Sequence, residues 1–228
     1  MYSSVRNGFP GFTQPLEGRV SWMYLDVKGL VTIGVGNLID PQSAAVGLPF
    51  VHKTDGSAAS IAEIAAEWTA LKGNQALATK GYRACDPLTK LRLTDEAIDA
   101  LVLGRLDQNE AFLKKTFTAW DQWPADAQLG VLSMAWAMGP GFPVDWPTFT
   151  AACKAQDWST AAANCHISEI GNAGVKPRNV ADVLLFNNAA VVAGSGQDAS
   201  NLVYPGMAQD ALPPPPEETA PSLGDDAN

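Results

Sequence analysis

The sequence predicts an α+β fold, a small β hairpin beside a mainly helical body, and three observations carry that prediction. β-Forming residues concentrate in one stretch, Trp22–Val27 and Leu30–Gly36, around a Lys28-Gly29 turn. Elsewhere, apolar residues recur at steps of three and four, the period of an amphipathic helix. One segment, Ala125–Met138, is apolar nearly all round, as a helix at the centre of a bundle must be. A single hairpin with helices segregated from it is an α+β arrangement.

Each element has its own local signal. In the second strand Val31, Ile33 and Val35 alternate with Thr32, Gly34 and Gly36, so one face is apolar and the other nearly stripped of side chains. A stripped face lets a bulky ligand approach the backbone. Ile61, Ile64, Trp68 and Leu71 mark a helix over about Ala58–Lys72. A longer helix runs from Thr94 to about Phe117, with Thr94 as N-cap, Asp95 and Glu96 in its first turn and Lys114 and Lys115 in its last. Its stripe is Ile98, Val102, Leu106 and Leu113, interrupted by Asn109. Pro124 opens the central helix, and Gly139-Pro140-Gly141 stops it. Shorter helices follow at about Thr148–Ala155 and Ser159–Cys165, and Pro177 starts a last one that runs to about Ala193.

Past Gly194 the composition changes. Segment 195–228 holds six of the 24 acids, no Lys or Arg, and the run Pro213–Pro216. The formal charge is −9, of which 18 acids against 15 bases leave only −3 in the remainder. Such a tail buries too little surface to fold alone. It is expected to be dispensable for folding, either as a docking segment for a protein partner or as a passive solubilising terminus.

Several function classes are excluded by composition. No basic patch is present, so nucleic acid is not an expected partner. No run reaches the ~18 apolar residues of a membrane span. Met1–Phe12 has one Arg and no apolar core of a secretory signal, so synthesis in the cytoplasm is expected, with action elsewhere only after release or delivery. Cys85, Cys153 and Cys165 make an odd count, read as buried thiols rather than a disulfide framework. His52 and His166 have no partner at ligand spacing, and neither a metal nor a cofactor is expected.

The chemistry concentrates at the hairpin. Glycoside hydrolysis commonly uses one carboxylic acid to protonate the leaving oxygen and one carboxylate across the sugar. Glu17 lies just before the hairpin, Asp26 ends its first strand and Thr32 lies on its second. The residue types alone fit equally a half-buried hairpin whose glycines accommodate a helix, with Glu17 and Asp26 as surface acids.

A resemblance adds to that reading. Leu16–Leu38, L-E-G-R-V-S-W-M-Y-L-D-V-K-G-L-V-T-I-G-V-G-N-L, resembles the catalytic segment of phage-type lysozymes of the T-even class: Glu, eight residues, Asp, five residues, Thr, then I-G-x-G. Further segments are similar in the same order. They are Leu93–Leu101 at the start of the interlobe helix, Met134–Gly139 at the end of the central helix, Trp158–Asn164, and Pro177–Phe186 in the R-R-x-A-E-x-x-L-F helix of phage endolysins. The likeness covers roughly Leu16–Ala190, with an uncertain stretch at Ile39–Arg92.

The resemblance implies a catalytic domain over 1–194, with a β lobe at about 18–57, an interlobe helix at about 94–117 and a helical lobe at about 118–194. It implies hydrolysis of the β-1,4 bond between N-acetylmuramic acid and N-acetylglucosamine in bacterial peptidoglycan, with inversion. Inversion places the two carboxyl groups about 6.5–9.5 Å apart. Glu17 is then the general acid, Asp26 the base or electrostatic partner, and Thr32 a holder of the attacking water. Arg178 matches an arginine that pairs with the catalytic Glu, and the alternative is a surface Arg at a helix start. Leu38, Thr148 and Asn164 match positions that touch sugar. Trp136 matches a cleft-side aromatic, although an aromatic in a central helix is as often plain core. Asn37 stands where the class carries a His paired with a buried Asp, and Asn179 where endolysins carry a second Arg. Two other readings stay open: a hydrolase of chitin-type N-acetylglucosamine chains, and a lysozyme-like docking or assembly module of a phage particle or secreted effector.

Overall fold

The computed structural model describes residues 1–205. It opens with a helix that the sequence reading did not contain, α1 (Ser3–Glu17), which runs through Pro10 and Pro15. Each proline removes a backbone hydrogen bond, and Gly8 and Gly11 lower helix propensity further. Burial supplies what propensity lacks. Val5, Phe9, Phe12 and Thr13 line one face and are at most 8% exposed, and Phe9 packs on Trp136 with ring centroids 5.1 Å apart. At Gly18 the helix stops, the Gly18 N–H donating to the Gln14 carbonyl at 2.9 Å.

Three antiparallel strands follow, β1 (Val20–Leu25), β2 (Val31–Gly34) and β3 (Asn37–Leu38), in that spatial order. Tyr24 faces Thr32 across β1 and β2, and Thr32 faces Leu38 across β2 and β3. The expected second strand, Leu30–Gly36, is therefore a shorter strand followed by a turn at Val35 and Gly36. Gly34 and Gly36 adopt φ of +66° and +68°, a left-handed conformation that glycine takes without steric cost, and the chain turns back there. Asn37 fixes this turn: its side-chain carbonyl accepts the Val35 N–H at 3.1 Å and its amide reaches the Leu101 carbonyl at 3.5 Å. Val31, Ile33 and Val35 are buried, as their alternation requires.

The next stretch braces the hairpin. It comprises α2 (Gln42–Ala45), β4 (Val51–His52), α3 (Ile61–Gly73), two 3-10 turns (Gln75–Thr79 and Tyr82–Leu88) and β5 (Leu91–Arg92), which pairs with β4. A capping box opens α3. Ser60 Oγ accepts the Glu63 N–H, and the Glu63 carboxylate accepts the Ser60 N–H at 2.8 Å. The far end of α3 puts Lys72 Nζ 2.8 Å from the Gly29 carbonyl, and Gln75 reaches the same oxygen at 3.3 Å.

Helix α4 (Asp95–Leu113) is capped by Thr94, whose hydroxyl accepts the Ala97 N–H at 3.3 Å. The stripe from Ile98 to Leu113 is buried, Asn109 included. The helix ends a turn before Phe117, at Lys114, whose N–H still bonds the Glu110 carbonyl while its Nζ pairs with Asp121 at 2.7 Å. Helix α5 (Ala125–Met138) has every residue from Ala125 to Trp136 buried, so the all-round apolar pattern does mark the central helix. The remaining helices are α6 (Pro147–Ala155), α7 (Trp158–Asn164) and α8 (Lys176–Ser195). The three cysteines are buried and free. Among the described residues no helix is long and apolar enough to cross a membrane.

The segment read as a solvated tail from Ser195 is docked as far as Pro205. Asp126, fully buried in the first turn of α5, accepts the Val203 N–H at 2.8 Å, the Tyr204 N–H at 2.9 Å and the Asn188 amide at 2.9 Å. Ala125 N–H donates to the Ala199 carbonyl at 2.7 Å, and the Tyr204 ring stands edge-on to Phe12 with centroids 5.2 Å apart. A helix N-terminus has N–H groups without internal partners, and the Ala199 carbonyl answers that of Ala125. Pro213–Pro216 and the acids from Asp210 onward lie outside the described residues. Ending the chain at Ser195 strips a buried carboxylate of two backbone partners. It is expected to cost about 2–4 kcal/mol, on the order of 5–10 °C in Tm, measured by thermal denaturation beside the full chain.

Candidate active site

A cleft of about 390 Å³ opens between the hairpin and the helical body. It gathers five of the expected residues, Glu17, Asp26, Thr32, Leu38 and Trp136, and adds Tyr24, Lys28 and Arg105.

Glu17 is the last residue of α1, where the negative end of the helix dipole opposes a carboxylate. Its side chain keeps 27% of its surface open. The Arg178 guanidinium binds its Oε1. Burial pushes the Glu17 carboxyl above its ordinary value, and the charges of Arg178 and Arg105 pull the other way without reversing the shift. Gly36 keeps the approach open, since a Cβ there would stand 3.6 Å from Glu17 Oε2.

Arg178 is no surface arginine. Only 3% exposed, in the first turn of α8, it donates to the Ser133 carbonyl at 2.9 Å and hydroxyl at 2.8 Å as well as to Glu17. One turn further along α8 lies Asp182, wholly buried, whose oxygens have no hydrogen-bond partner among the described residues. Burial pushes Asp182 up to about 7 against the pull of the Arg178 charge and of the Ser133 hydroxyl, which falls short of bonding geometry. Glu17 and Asp182 thus share one buried cation.

Asp26 sits one residue beyond β1, in the turn rather than on the strand. Its Oδ1 accepts the Lys28 N–H at 2.8 Å and the Leu30 N–H at 2.9 Å, leaving Oδ2 unengaged by these bonds. Lys72 and Gln75, holding the Gly29 carbonyl from outside, fix the same turn. Thr32, 5% exposed, donates its hydroxyl to the Leu30 carbonyl at 3.3 Å and retains acceptor capacity on the cleft side. Tyr24, beside both acids, is pushed up to about 12 by burial and by the Glu17 and Asp26 charges, so it stays a neutral phenol.

Trp136 is both core and cleft wall, 3% exposed yet lining the opening. The Arg105 guanidinium stacks 4.1 Å above its ring and donates to the Gly36 carbonyl at 2.9 Å and the Trp136 carbonyl at 2.8 Å. One side chain of α4 thereby ties the hairpin to α5.

Two expected sugar contacts do not line this cleft. Thr148 is exposed in the first turn of α6, an element packed with α7 rather than with the hairpin. Asn164 closes α7, with its amide donating to the Thr160 carbonyl at 2.8 Å. Asn179 is likewise structural: its side chain accepts the Ile167 N–H and donates to the Ile167 carbonyl, both at 2.9 Å.

Sequence reading missed Arg105, Ser133 and Asp182. The charge of Arg105 on the otherwise apolar Leu101–Leu106 run of α4 was a signal, and so was Asp182 one helical turn after Arg178. In comparisons of sequence the chain matches no protein family and no curated protein.

Proposed function

We propose that the protein is a peptidoglycan hydrolase of the phage-type lysozyme class, cleaving between N-acetylmuramic acid and N-acetylglucosamine. One observation carries this reading. A carboxyl with a raised pKa, Glu17, and a turn-held carboxyl, Asp26, line one cleft together with the Thr32 hydroxyl. A shift that favours the protonated form is what protonation of a glycosidic oxygen needs.

The residues divide the reaction as follows. Glu17 gives its proton to the bridging oxygen as the bond from that oxygen to the sugar C1 breaks. A water held by the Thr32 oxygen attacks C1 from the opposite face and passes a proton to Asp26. Arg178 then stabilises the Glu17 carboxylate until solvent restores both protonation states. On this reading the protein meets its substrate outside the cytoplasm, after release or delivery.

The test is digestion of purified cell walls, with the products followed by NMR. New reducing ends on muramic acid, first formed as the α anomer, are the expected result. Retained configuration would replace inversion by a covalent intermediate, and no new reducing ends would end the assignment. Asp26→Asn is expected to lower kcat about a hundredfold with KM little changed.

A further inference from the structure

Aromatic rings in the helical body serve the core. Phe117, Trp120 and Trp158 pack around Trp123, and each of the four is at most 2% exposed. A group on the hairpin differs. Trp22 and Tyr24 stand on the face of β1 opposite the buried Met23 and Leu25, and Tyr82 packs against them from the 3-10 turn Tyr82–Leu88. Ring centroids lie 6.1 Å apart for Tyr24 and Tyr82, and 6.3 Å apart for Tyr82 and Trp22. Tyr82 thus joins the other two into a row, and all three residues are only half-buried. A row of half-open rings on a surface is a feature that a ligand explains better than a core does.

The row begins in the reaction cleft. Tyr24 lines that cleft with Glu17 and Asp26, whereas Tyr82 and Trp22 stand beyond its lining. The rings are also held in place before any ligand arrives. Trp22 Nε1 donates to the Tyr82 carbonyl at 3.2 Å. Lys53 Nζ stands 5.3 Å from the Trp22 ring centroid, within reach of a cation–π contact. Its own position is fixed by the Asp86 carbonyl at 2.9 Å, the Asp86 carboxylate at 2.5 Å and the Thr89 hydroxyl at 2.7 Å. The Arg83 guanidinium lies 5.7 Å from the Tyr82 ring centroid. Rings fixed in this way lose little freedom when a ligand binds.

We propose that Tyr24, Tyr82 and Trp22 form a glycan platform, which receives sugar residues of the substrate strand beyond those held at Glu17 and Asp26. The inference rests on the hydrolase reading, which names the bond broken and leaves open how long a strand is held. A pyranose ring has an apolar face of C–H groups and a polar rim of hydroxyls. Its face packs on an aromatic ring, and its rim stays in water or meets the phenol hydroxyls. Such a platform reads ring faces rather than substituents. It therefore sets the length of strand that binds best. Tyr82 comes from Ile39–Arg92, the stretch whose likeness to phage-type lysozymes is uncertain, so the platform is a property of this chain.

Binding to Glu17→Gln protein, which holds ligand without turning it over, tests this. The ligands are amidase-stripped peptidoglycan strands, a tetrasaccharide and an octasaccharide. On that background Tyr82→Ala removes the middle ring and keeps the backbone carbonyl that Trp22 bonds. It is expected to weaken the octasaccharide about three- to tenfold and the tetrasaccharide less than about twofold. Tyr82→Phe keeps the ring and is expected to bind both strands as the parent does. A measurement with the row intact guards against a variant that fails to fold. The Trp22 indole N–H resonance, assigned by its loss in Trp22→Phe, is expected to shift with the octasaccharide and not with the tetrasaccharide. Equal weakening of both strands by Tyr82→Ala, weakening of neither, or a Trp22 resonance blind to the octasaccharide overturns the platform. A loss in Tyr82→Phe equal to that in Tyr82→Ala assigns the hydroxyl and overturns stacking. Reducing-end release by the wild-type protein is read separately. Length-selective binding without release keeps the platform and removes the hydrolase, and release without length-selective binding does the reverse.

Discussion

Glu17→Gln is expected to lower kcat on cell-wall glycan by about 10²–10⁴-fold while the protein stays folded and KM changes little. The amide has nearly the shape of the acid and no proton to give. Folding is expected to survive for an electrostatic reason. Burial already raises the Glu17 pKa, so the ionised carboxyl is a cost to the native state, and a neutral amide does not add to it. Arg178 keeps its two bonds to Ser133 and the charge of Asp182. Steady-state rates and a thermal melt on the same preparation check both halves. Folded Glu17→Gln protein that lyses walls at near wild-type rate would falsify the role of Glu17 as the acid.

How much of this was legible in the sequence depends on where each signal resided. Helix α5 and the capped start of α4 were readable because their signals are local: apolar density in one, Thr94 before two acids in the other. Helix α1 was not. Its breakers Pro10 and Pro15 are local, while its stabilising contact, Phe9 against Trp136, joins residues far apart in the chain. That stripe, Val5, Phe9 and Phe12 at steps of four and three, was nevertheless present to be read. Strand β2 is shorter than its alternation through Val35 predicts, because the glycines on either side of that residue turn the chain.

The site divides in the same way. Glu17, Asp26 and Thr32 lie within one short stretch, so spacing alone could nominate them, and the structure brings them to one cleft. Arg105 and Asp182 left only weak signals, a charge in an apolar run and an acid four residues after Arg178, and neither signal names the partners that packed helices bring to them. Thr148 and Asn164 rested on resemblance alone; Thr148 stands exposed on α6, and the Asn164 amide bonds the Thr160 carbonyl within α7. The acidic segment past Gly194 misled through its average composition. Val203 and Tyr204 sit within it, and both donate to a buried acceptor, Asp126, far away in the chain.

Arg178→Met is expected to destabilise the protein by about 3–5 kcal/mol at pH 8, and by clearly less at pH 5. The sign follows from the two acids that share the cation. An acid whose folded pKa lies above its ordinary value binds its proton more tightly in the native state, so stability falls as pH rises between the two values. Asp182 does this from an ordinary 3.8 to about 7, a loss of about 4 kcal/mol once both states are ionised, and Glu17 shifts in the same direction. Arg178 opposes both shifts. Without it both pKa values climb, the native state ionises later, and the stability lost on going from pH 5 to pH 8 grows. Urea denaturation at the two pH values measures that growth, and Asp182→Asn on either background should flatten the slope. The same substitution leaves a second signature in activity. Glu17, released from its cation, stays protonated to higher pH, so the alkaline limb of kcat/KM moves up even as the protein becomes less stable. A variant with the wild-type pH profile and a pH-independent loss of stability would reduce Arg178 to a packing contact through Ser133.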